Sequence, residues 1–312
     1  MLVRLNARDE FELRTGFPRT PEDLYGYHAV IVDDLEAEFF APDQAALLQK
    51  FVSERGGGFL MLGGIDTFQE GKYQRTPIGD MLPVYLDRVE ETKAAEALHL
   101  NLTREGWLQP WARLRDNEMD EKVRFQGMTP FQVLNPVREV KPGASVVATV
   151  SDAAGKTNAA LVVQRFGRGR TAALPVGDVW RWGFHDAAAH QDMDKFWRQL
   201  MRWLVTDVPN QVELTVEPQP EEAGGAVRLQ VRVRDKTFQP LDNAGVSVEV
   251  QPVMMESTAG AATNSIRLAT EPSGTEAGLY QATYVPRITG GYKATAFVTN
   301  AIGAEVDHAK AG

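Results

Sequence analysis

Aspartates and one threonine follow two short apolar runs, at the places where buried strands would end. Asp33 and Asp34 close the run YHAVIVDD, and Asp66 and Thr67 come just after the run GGGFLMLGG. Open α/β sheets bind ligands beside the carboxyl ends of their parallel strands. Such side chains could coordinate a cation or hydrogen-bond a small polar ligand, although aspartates also cap helices. The four residues are therefore possible ligand-binding residues.

The run GGGFLMLGG ends in Gly63 and Gly64, at the position where a strand-to-helix elbow carries a nucleophile in many α/β enzymes. Neither glycine has a side chain that could attack a substrate. Thr67 is the nearest hydroxyl, but His28, its candidate base, precedes a strand and should lie at the opposite edge of the sheet. A hydroxyl-based hydrolase is therefore disfavoured. The alternative that remains is a metal-assisted or carboxylate-based hydrolase around Asp33, Asp66 and Asp178.

A second polar group lies in the segment WRWGFHDAAAHQDMD, which contains His185, Asp186, His190, Asp192 and Asp194. Imidazole and carboxylate groups are legitimate ligands for zinc or manganese. Their spacing matches no established metal motif, and the acids stand where the beginning of a helix favours negative charge. We interpret the group as a helix start, and we predict neither a metal site nor a cofactor.

Two tryptophans stand in the same segment. Trp180 and Trp182 flank Arg181, and as alternating residues both could project from one face near the ligand edge of the sheet. Exposed tryptophans there would suit carbohydrate stacking or a protein contact, whereas buried ones would close the core. A carbohydrate-binding module is therefore a further alternative.

The elements that must position these residues follow from the hydrophobic pattern. The run 27–34 predicts a buried strand, 41–58 a helix with Pro42 in its first turn and Gly56 at its end, and GFLMLGG a second strand. Strand, helix and strand at this spacing predict a right-handed βαβ unit and hence an α/β fold with a parallel sheet. Three more strands, SVVATV, AALVVQRF and RTAALPVGD, and an amphipathic helix over 190–206 complete the predicted domain.

The period of the hydrophobic pattern changes after residue 207. AVRLQVRVRD and GVSVEVQP alternate apolar and polar residues, which is typical of strands with one buried face. We predict two domains, an α/β domain over 1–207 and an all-β immunoglobulin-like sandwich over 208–312. The phrase GLYQATYVPRITGGYKATAFV resembles the final strands of filamin-like and bacterial immunoglobulin-like repeats, which implies a spacer or adhesive role.

Composition excludes several classes of function. The net charge is −9 and no block of Lys and Arg stands out, which argues against binding to nucleic acid or to an anionic membrane surface. The chain contains no cysteine, so it has no disulfide, no thiolate metal site and no cysteine nucleophile.

The α/β part resembles a known family. The segment FVSERGGGFLMLGGIDTFQEGKYQRTPIGDMLPV, with RGRTAALPVGDVWRWGF and DKFWRQLMRWL further on, is similar to class I glutamine amidotransferase-like domains over about residues 20–206. It most resembles the version found in bacterial membrane-anchored proteins that also carry a von Willebrand factor A-type domain. The resemblance implies a flavodoxin-like fold, with a cysteine at the elbow and a histidine and a glutamate on a late strand.

The sequence departs from that family pattern at both catalytic places. Gly63 and Gly64 stand at the elbow, and the late strand TAALPVGDVW has no histidine followed two residues later by glutamate. We therefore predict a degenerate elbow, no catalytic residues and a non-catalytic binding or scaffolding role in a larger cell-envelope assembly. The expected partner is a protein or the remainder of a membrane-anchored chain, with a small-molecule or carbohydrate ligand as an alternative. The expected location is the periplasmic side of a bacterial envelope if such a parent exists, and otherwise the cytoplasm.

Overall fold

The computed structural model describes residues 2–5, 10–87, 97–219, 225–253, 265–287, 290–299 and 305–311. Its contacts divide the chain into two compact units, residues 1–208 and 209–312. Among the described residues, no helix combines the length and the apolar character that a membrane span requires.

The described residues of the first unit form ten strands and seven short to medium α-helices. The strands are β1 (Val3–Leu5), β2 (Glu10–Glu12), β3 (Ala29–Val32), β4 (Gly58–Leu62), β5 (Val84–Tyr85), β6 (His99–Leu102), β7 (Glu139–Val140), β8 (Ser145–Ser151), β9 (Thr157–Phe166) and β10 (Gly169–Leu174). The helices are α1 (Pro21–Leu24), α2 (Pro42–Lys50), α3 (Pro77–Met81), α4 (Arg104–Trp107), α5 (Glu118–Gly127), α6 (Trp180–Gly183) and α7 (Ala187–Val205).

Six of these strands form the central sheet, in the order β3-β4-β10-β9-β8-β6. β3 and β10 lie parallel to β4 on either side of it, whereas β9, β8 and β6 continue the sheet in antiparallel pairs. The predicted α/β class and the βαβ unit are confirmed, but the prediction of a parallel sheet is wrong for half of it. The reason is the two-residue turn after β9, with Gly167 at φ +58°, because a connection this short can only reverse the chain.

Helix α2 continues as a π-helical turn over Phe51–Arg55 and ends at Gly56, whose φ of +91° suits a residue without a side chain. The buried residues of this segment include Leu48, Phe51 and Val52, which are fully shielded from solvent. The predicted helix and its stop at Gly56 are therefore confirmed.

Helix α7 packs on one face of the central sheet. Leu200 and Leu204 on this helix are buried in one cluster with Leu60 of β4 and Leu174 of β10. Phe59 alternates with Leu60 along β4, so it points to the other face of the sheet, where it is also fully buried. Strand β4, at the parallel side of the sheet, is thus covered on both faces.

The second unit is built from antiparallel strands alone within its described residues. They are β11 (Val212–Pro218), β12 (Val227–Val233), β13 (Gly245–Val253), β14 (Ile266–Ala269), β15 (Glu271–Pro272), β16 (Leu279–Tyr284), β17 (Gly291–Thr299) and β18 (Glu305–Ala311). They form two four-stranded sheets, β11-β12-β16-β15 and β14-β13-β17-β18. Val231 of the first sheet and Val248 of the second are buried in one shared core cluster, as the period-two pattern predicts.

Candidate functional site

The carboxyl ends of β3, β4 and β10 meet at one edge of the sheet, as expected for parallel strands. The Gly63 N–H, just past β4, donates to the carbonyl oxygen of Leu174 at the end of β10, over 2.8 Å. Asp34, just past β3, lies beside Gly64. The structure therefore brings the predicted elbow together with one of the two aspartates that end β3.

Both elbow glycines are required by close packing. A Cβ atom added to Gly63 would lie 2.6 Å from the carbonyl carbon of Pro175 and 2.7 Å from that of Val176. A Cβ added to Gly64 would lie 2.7 Å from Cγ of Asp34. Neither glycine is among the described residues with positive φ, so the space around them, rather than a strained backbone, requires glycine. The volume of a side chain at the elbow is already filled.

The backbone N–H groups of the elbow also have partners. The Gly64 N–H donates to Oδ1 of Asn135 over 2.9 Å, and Nδ2 of Asn135 donates back to the Gly64 carbonyl over 2.8 Å. The Asp66 N–H donates to Oδ1 of Asp34 over 2.8 Å. In acyl-transfer enzymes, backbone donors at such a position stabilise a developing oxyanion. Here a carboxamide and a carboxylate of the same chain accept those hydrogen bonds.

No motif in the sequence points to the role of Asn135. It stands 71 residues from Gly64 in the chain. Its side chain is buried and also donates to Oε2 of Glu70 over 3.3 Å. Asn135 thus links the elbow to the loop that follows it.

That loop, residues 64–76, contains unusual backbone and unpaired polar atoms. Three residues of the loop, Phe68, Lys72 and Arg75, have φ between +54° and +60°, and neighbouring Asp34 has φ +45°. Left-handed backbone in residues other than glycine is uncommon and is often found at functional sites. Within the described part of the chain, three buried polar atoms of the loop have no hydrogen-bond partner: Thr67 Oγ1, Gln69 Oε1 and Gln74 Oε1.

Thr67 is fully buried, so its hydroxyl cannot reach a substrate from solvent. His28 precedes β3, whose other end leads to Asp34, and it therefore lies at the opposite end of that strand. The hydroxyl-based hydrolase that the sequence disfavours has neither an accessible nucleophile nor a base at the elbow.

The four predicted aspartates differ in their surroundings. Asp33 is exposed at the surface. Its pKa is raised, mainly because its carboxyl is partly desolvated and to a smaller extent because Asp34 repels it. Asp66 is exposed and contributes its backbone to the elbow. Asp178 is buried, and its carboxylate accepts from the N–H groups of Gln132 and Val133 over 2.9 and 3.2 Å.

Asp178 also pairs with Arg181, at 3.3 Å from Oδ2 to Nη1. Its carboxylate therefore anchors the segment that carries Asn135. In the ranges that the structure describes, no three His, Asp or Glu side chains converge as a metal site.

The two tryptophans do not share a face. They lie on the short helix α6, where residues two apart point in nearly opposite directions, and the prediction that assumed strand-like alternation is wrong. Trp182 is buried against Phe196, with ring centroids 5.8 Å apart. Trp180 is 60% exposed and contacts only the edge of Phe184 among the described aromatic pairs, at 6.0 Å.

The polar group at 185–194 marks the beginning of α7. Asp186 is its N-cap, and Oδ1 accepts from the Ala189 N–H over 2.8 Å. That hydrogen bond lowers the pKa of Asp186, and a second one, from His185, lowers it further by a smaller amount. Asp192 instead forms two hydrogen bonds of 2.7 Å with the guanidinium of Arg115. The interpretation as a helix start therefore agrees with the structure.

The sequence of the first unit matches a known protein family. The sequence model of the family described as "Putative glutamine amidotransferase" (GATase1_like) matches residues 5–206. The chain belongs to this family. The predicted resemblance to glutamine amidotransferase-like proteins is thereby confirmed, whereas the association with von Willebrand factor A-type domains stays a prediction. No curated protein matched the sequence.

Solved structures show partial similarity to this amidotransferase-like chain. A cytoplasmic protein from Salmonella typhimurium is 19% identical, with a TM-score of 0.48 over 61% of this chain and 76% of that one. A second cytoplasmic protein, from Salmonella typhimurium LT2, is 18% identical, with a TM-score of 0.41 over 65% and 94%. A beta-galactosidase from Rahnella sp. R3 is 14% identical, with a TM-score of 0.34 over 84% and 33%. The family assignment rests on the sequence model.

Proposed function

We propose that this amidotransferase-like protein is non-catalytic and acts in binding or scaffolding. One observation carries the proposal: the carboxylate of Asp34 occupies the volume that a side chain at Gly64 would need. The absence of cysteine from the whole chain supports it, because the family mechanism requires a thiolate. The hydrogen bonds from Asp66 to Asp34 and from Gly64 to Asn135 add further support, since they use the donors that an oxyanion would need.

We further propose that the second unit is an immunoglobulin-like sandwich serving as a spacer. Support for the sandwich comes from its two four-stranded sheets and the apolar cluster that they share. The resemblance to membrane-anchored proteins extends the proposal to a cell-envelope assembly. Fractionation of the native host tests that extension: recovery with the envelope is expected, and recovery in the cytosol alone would argue against it.

The purified full chain should release no ammonia from glutamine and should hydrolyse neither esters nor glycosides. The elbow offers no nucleophile, and Asp178 is committed to backbone N–H groups. The Gly64→Cys variant should remain inactive as well, because the new side chain meets Asp34 and the late strand has no histidine–glutamate pair. Ammonia release can be followed with a coupled dehydrogenase assay, and bound metal by elemental analysis.

A hydrolase at this edge would give a different result. Turnover that is lost in Asp66→Asn but kept in Asp43→Asn, an exposed aspartate at the start of α2, would contradict the non-catalytic role. Turnover equal in both variants would indicate a contaminating enzyme. Further purification should then remove the activity, and activity that stays constant through purification would contradict the proposal.

A further inference from the structure

Large apolar side chains are exposed around the elbow. Ile65, directly after Gly64, is 78% exposed, and Phe184 is 81% exposed. Trp180 and Val133 are also exposed. We call these four residues the apolar rim. Single exposed apolar residues are normal on a protein surface, but several at one functional edge indicate a contact site.

Short contacts place Val133, one member of the rim, beside the elbow. A Cβ added to Gly177 would lie 2.7 Å from Cγ1 of Val133 and 3.2 Å from the Gly64 nitrogen. Val133 is therefore next to the residue that precedes Ile65. Asp178, which follows Gly177, holds the Val133 N–H and leads directly into the helix that carries Trp180.

The rim is held by buried groups beneath it. Trp182, two residues after Trp180, is buried in the core cluster of the first unit. Asp178 is buried and accepts three hydrogen bonds, from Gln132, Val133 and Arg181. A preorganised surface loses less conformational entropy when a partner binds, and exposed tryptophan is a side chain that often dominates such binding.

Several exposed carboxylates lie on the segments that form the elbow. Asp33, Asp34, Asp66 and Glu70 are exposed at the same strand ends or in the loop after β4. Of the basic residues in the loop and on α6, Lys72 is paired with Glu38 at 2.7 Å and Arg181 with Asp178 at 3.3 Å, which leaves Arg75 against the four carboxylates. The edge therefore combines exposed apolar side chains with net negative charge.

We propose that this edge binds a segment of a partner protein that carries aliphatic or aromatic residues next to Lys or Arg. The apolar residues of that segment cover Trp180, Phe184 and Ile65, and its cations face Asp33, Asp66 and Glu70. Charge complementarity commits the proposal to a basic segment, because an acidic one would meet like charge. The inference rests on the proposed non-catalytic role and names the partner chemistry of the same edge.

A carbohydrate is the less favoured occupant. Sugar binding uses the open face of an aromatic ring with polar groups around it. Among the other exposed residues of the rim, Ile65 and Val133 are aliphatic and offer no hydrogen bond to a sugar. Trp182, the second ring that a sugar platform would need, is buried.

Synthetic peptides test the proposal on the full chain. A short peptide alternating Lys with Leu and Phe should bind, and titration should shift the indole N–H signal of Trp180 in an NMR spectrum. The same peptide with Glu in place of Lys should bind at least about tenfold more weakly, because its charges repel the edge. The double variant Trp180→Ala/Phe184→Ser should weaken binding of the basic peptide at least about tenfold, as removal of central aromatic contacts does in other interfaces.

The controls separate this proposal from its alternatives. Leu108→Ser removes an equally exposed apolar side chain after α4 and should leave binding unchanged. Equal binding of the basic and acidic peptides, no binding of either, or full binding by the double variant would overturn the proposal. Oligosaccharide binding that depends on Trp180, without peptide binding, would also overturn it in favour of a sugar site.

The two proposals fail separately. Ammonia release from glutamine would refute the non-catalytic role whatever the peptides do. Absence of peptide binding in a chain that also lacks turnover would refute only the docking proposal.

Discussion

Arg124→Ala should lower the free energy of unfolding of the first unit by about 3–5 kcal/mol, the usual effect of removing one partner of a buried ion pair. Arg124 on α5 forms two hydrogen bonds with Glu121, of 2.9 and 2.8 Å. Glu121 has no exposed surface, and only 8% of the Arg124 side chain is exposed. The variant leaves a buried carboxylate without its cation, which is why the expected loss is large.

Packing adds to this effect. The guanidinium carbon of Arg124 lies 4.2 Å from the ring centroid of Phe125 and 5.5 Å from that of Trp182. Alanine removes the long apolar stem together with the charge, so the aromatic rings lose a neighbour. Urea unfolding of the full chain, with the transition of the first unit followed by tryptophan fluorescence, measures the change.

Two further variants show whether the stranded charge is responsible. Lys122→Ala breaks an exposed pair with Glu118 on the same helix and should change stability by less than about 0.5 kcal/mol. Arg124→Met/Glu121→Gln removes both charges but keeps an acceptor for the Leu114 N–H, which is bonded to Oε1 of Glu121 at 3.2 Å. The double variant should recover most of the loss, and failure to recover would assign the effect to packing alone.

Gly63→Ala should destabilise the first unit by about 3 kcal/mol, at the upper end of what overpacking usually costs. The added methyl would lie 2.6 and 2.7 Å from the carbonyl carbons of Pro175 and Val176, which are backbone atoms and cannot rotate away. To admit it, the ends of β4 and β10 must separate, which strains the hydrogen bond from the Gly63 N–H to Leu174.

Gly127→Ala is the matched control for this substitution. Gly127 ends α5, its φ is not among the positive values, and nothing lies within 4 Å of an added Cβ. Alanine there should be neutral or stabilising by up to about 1 kcal/mol, because alanine is the better helix former. A Gly63→Ala variant as stable as the control would mean that the elbow has room for a side chain.

The sequence predicted those parts of the fold that depend on local pattern. Periodicity located β3, α2 and β4, and the stripe of apolar residues located α7. Each of these features depends on residues that are close together in the chain. The parallel part of the sheet could be predicted for the same reason, because a helix joins β3 to β4.

The occupation of the elbow could not be predicted, because it depends on contacts between distant segments. Asp34 meets the Asp66 N–H from 32 residues away, and Asn135 meets Gly64 from 71 residues away. Neither residue belongs to a sequence motif that predicts this role. Trp182 illustrates a different limit: the sequence shows that two tryptophans alternate, but only the helical backbone of α6 decides that one is buried and the other exposed.

Asp34 fills the elbow at the place where an amidotransferase-like enzyme needs a nucleophile, and a double-mutant cycle on Asp34 and Gly64 measures this contact. Asp34→Gly removes the carboxylate and suits the φ of +45° at that position, and Gly64→Ala adds the methyl that would meet Asp34. We predict that the loss of unfolding free energy caused by Gly64→Ala is smaller in the Asp34→Gly background than in the native chain. The difference between the two losses should be at least about 1 kcal/mol. Effects that add to within about 0.5 kcal/mol, as independent sites do, would contradict the claim.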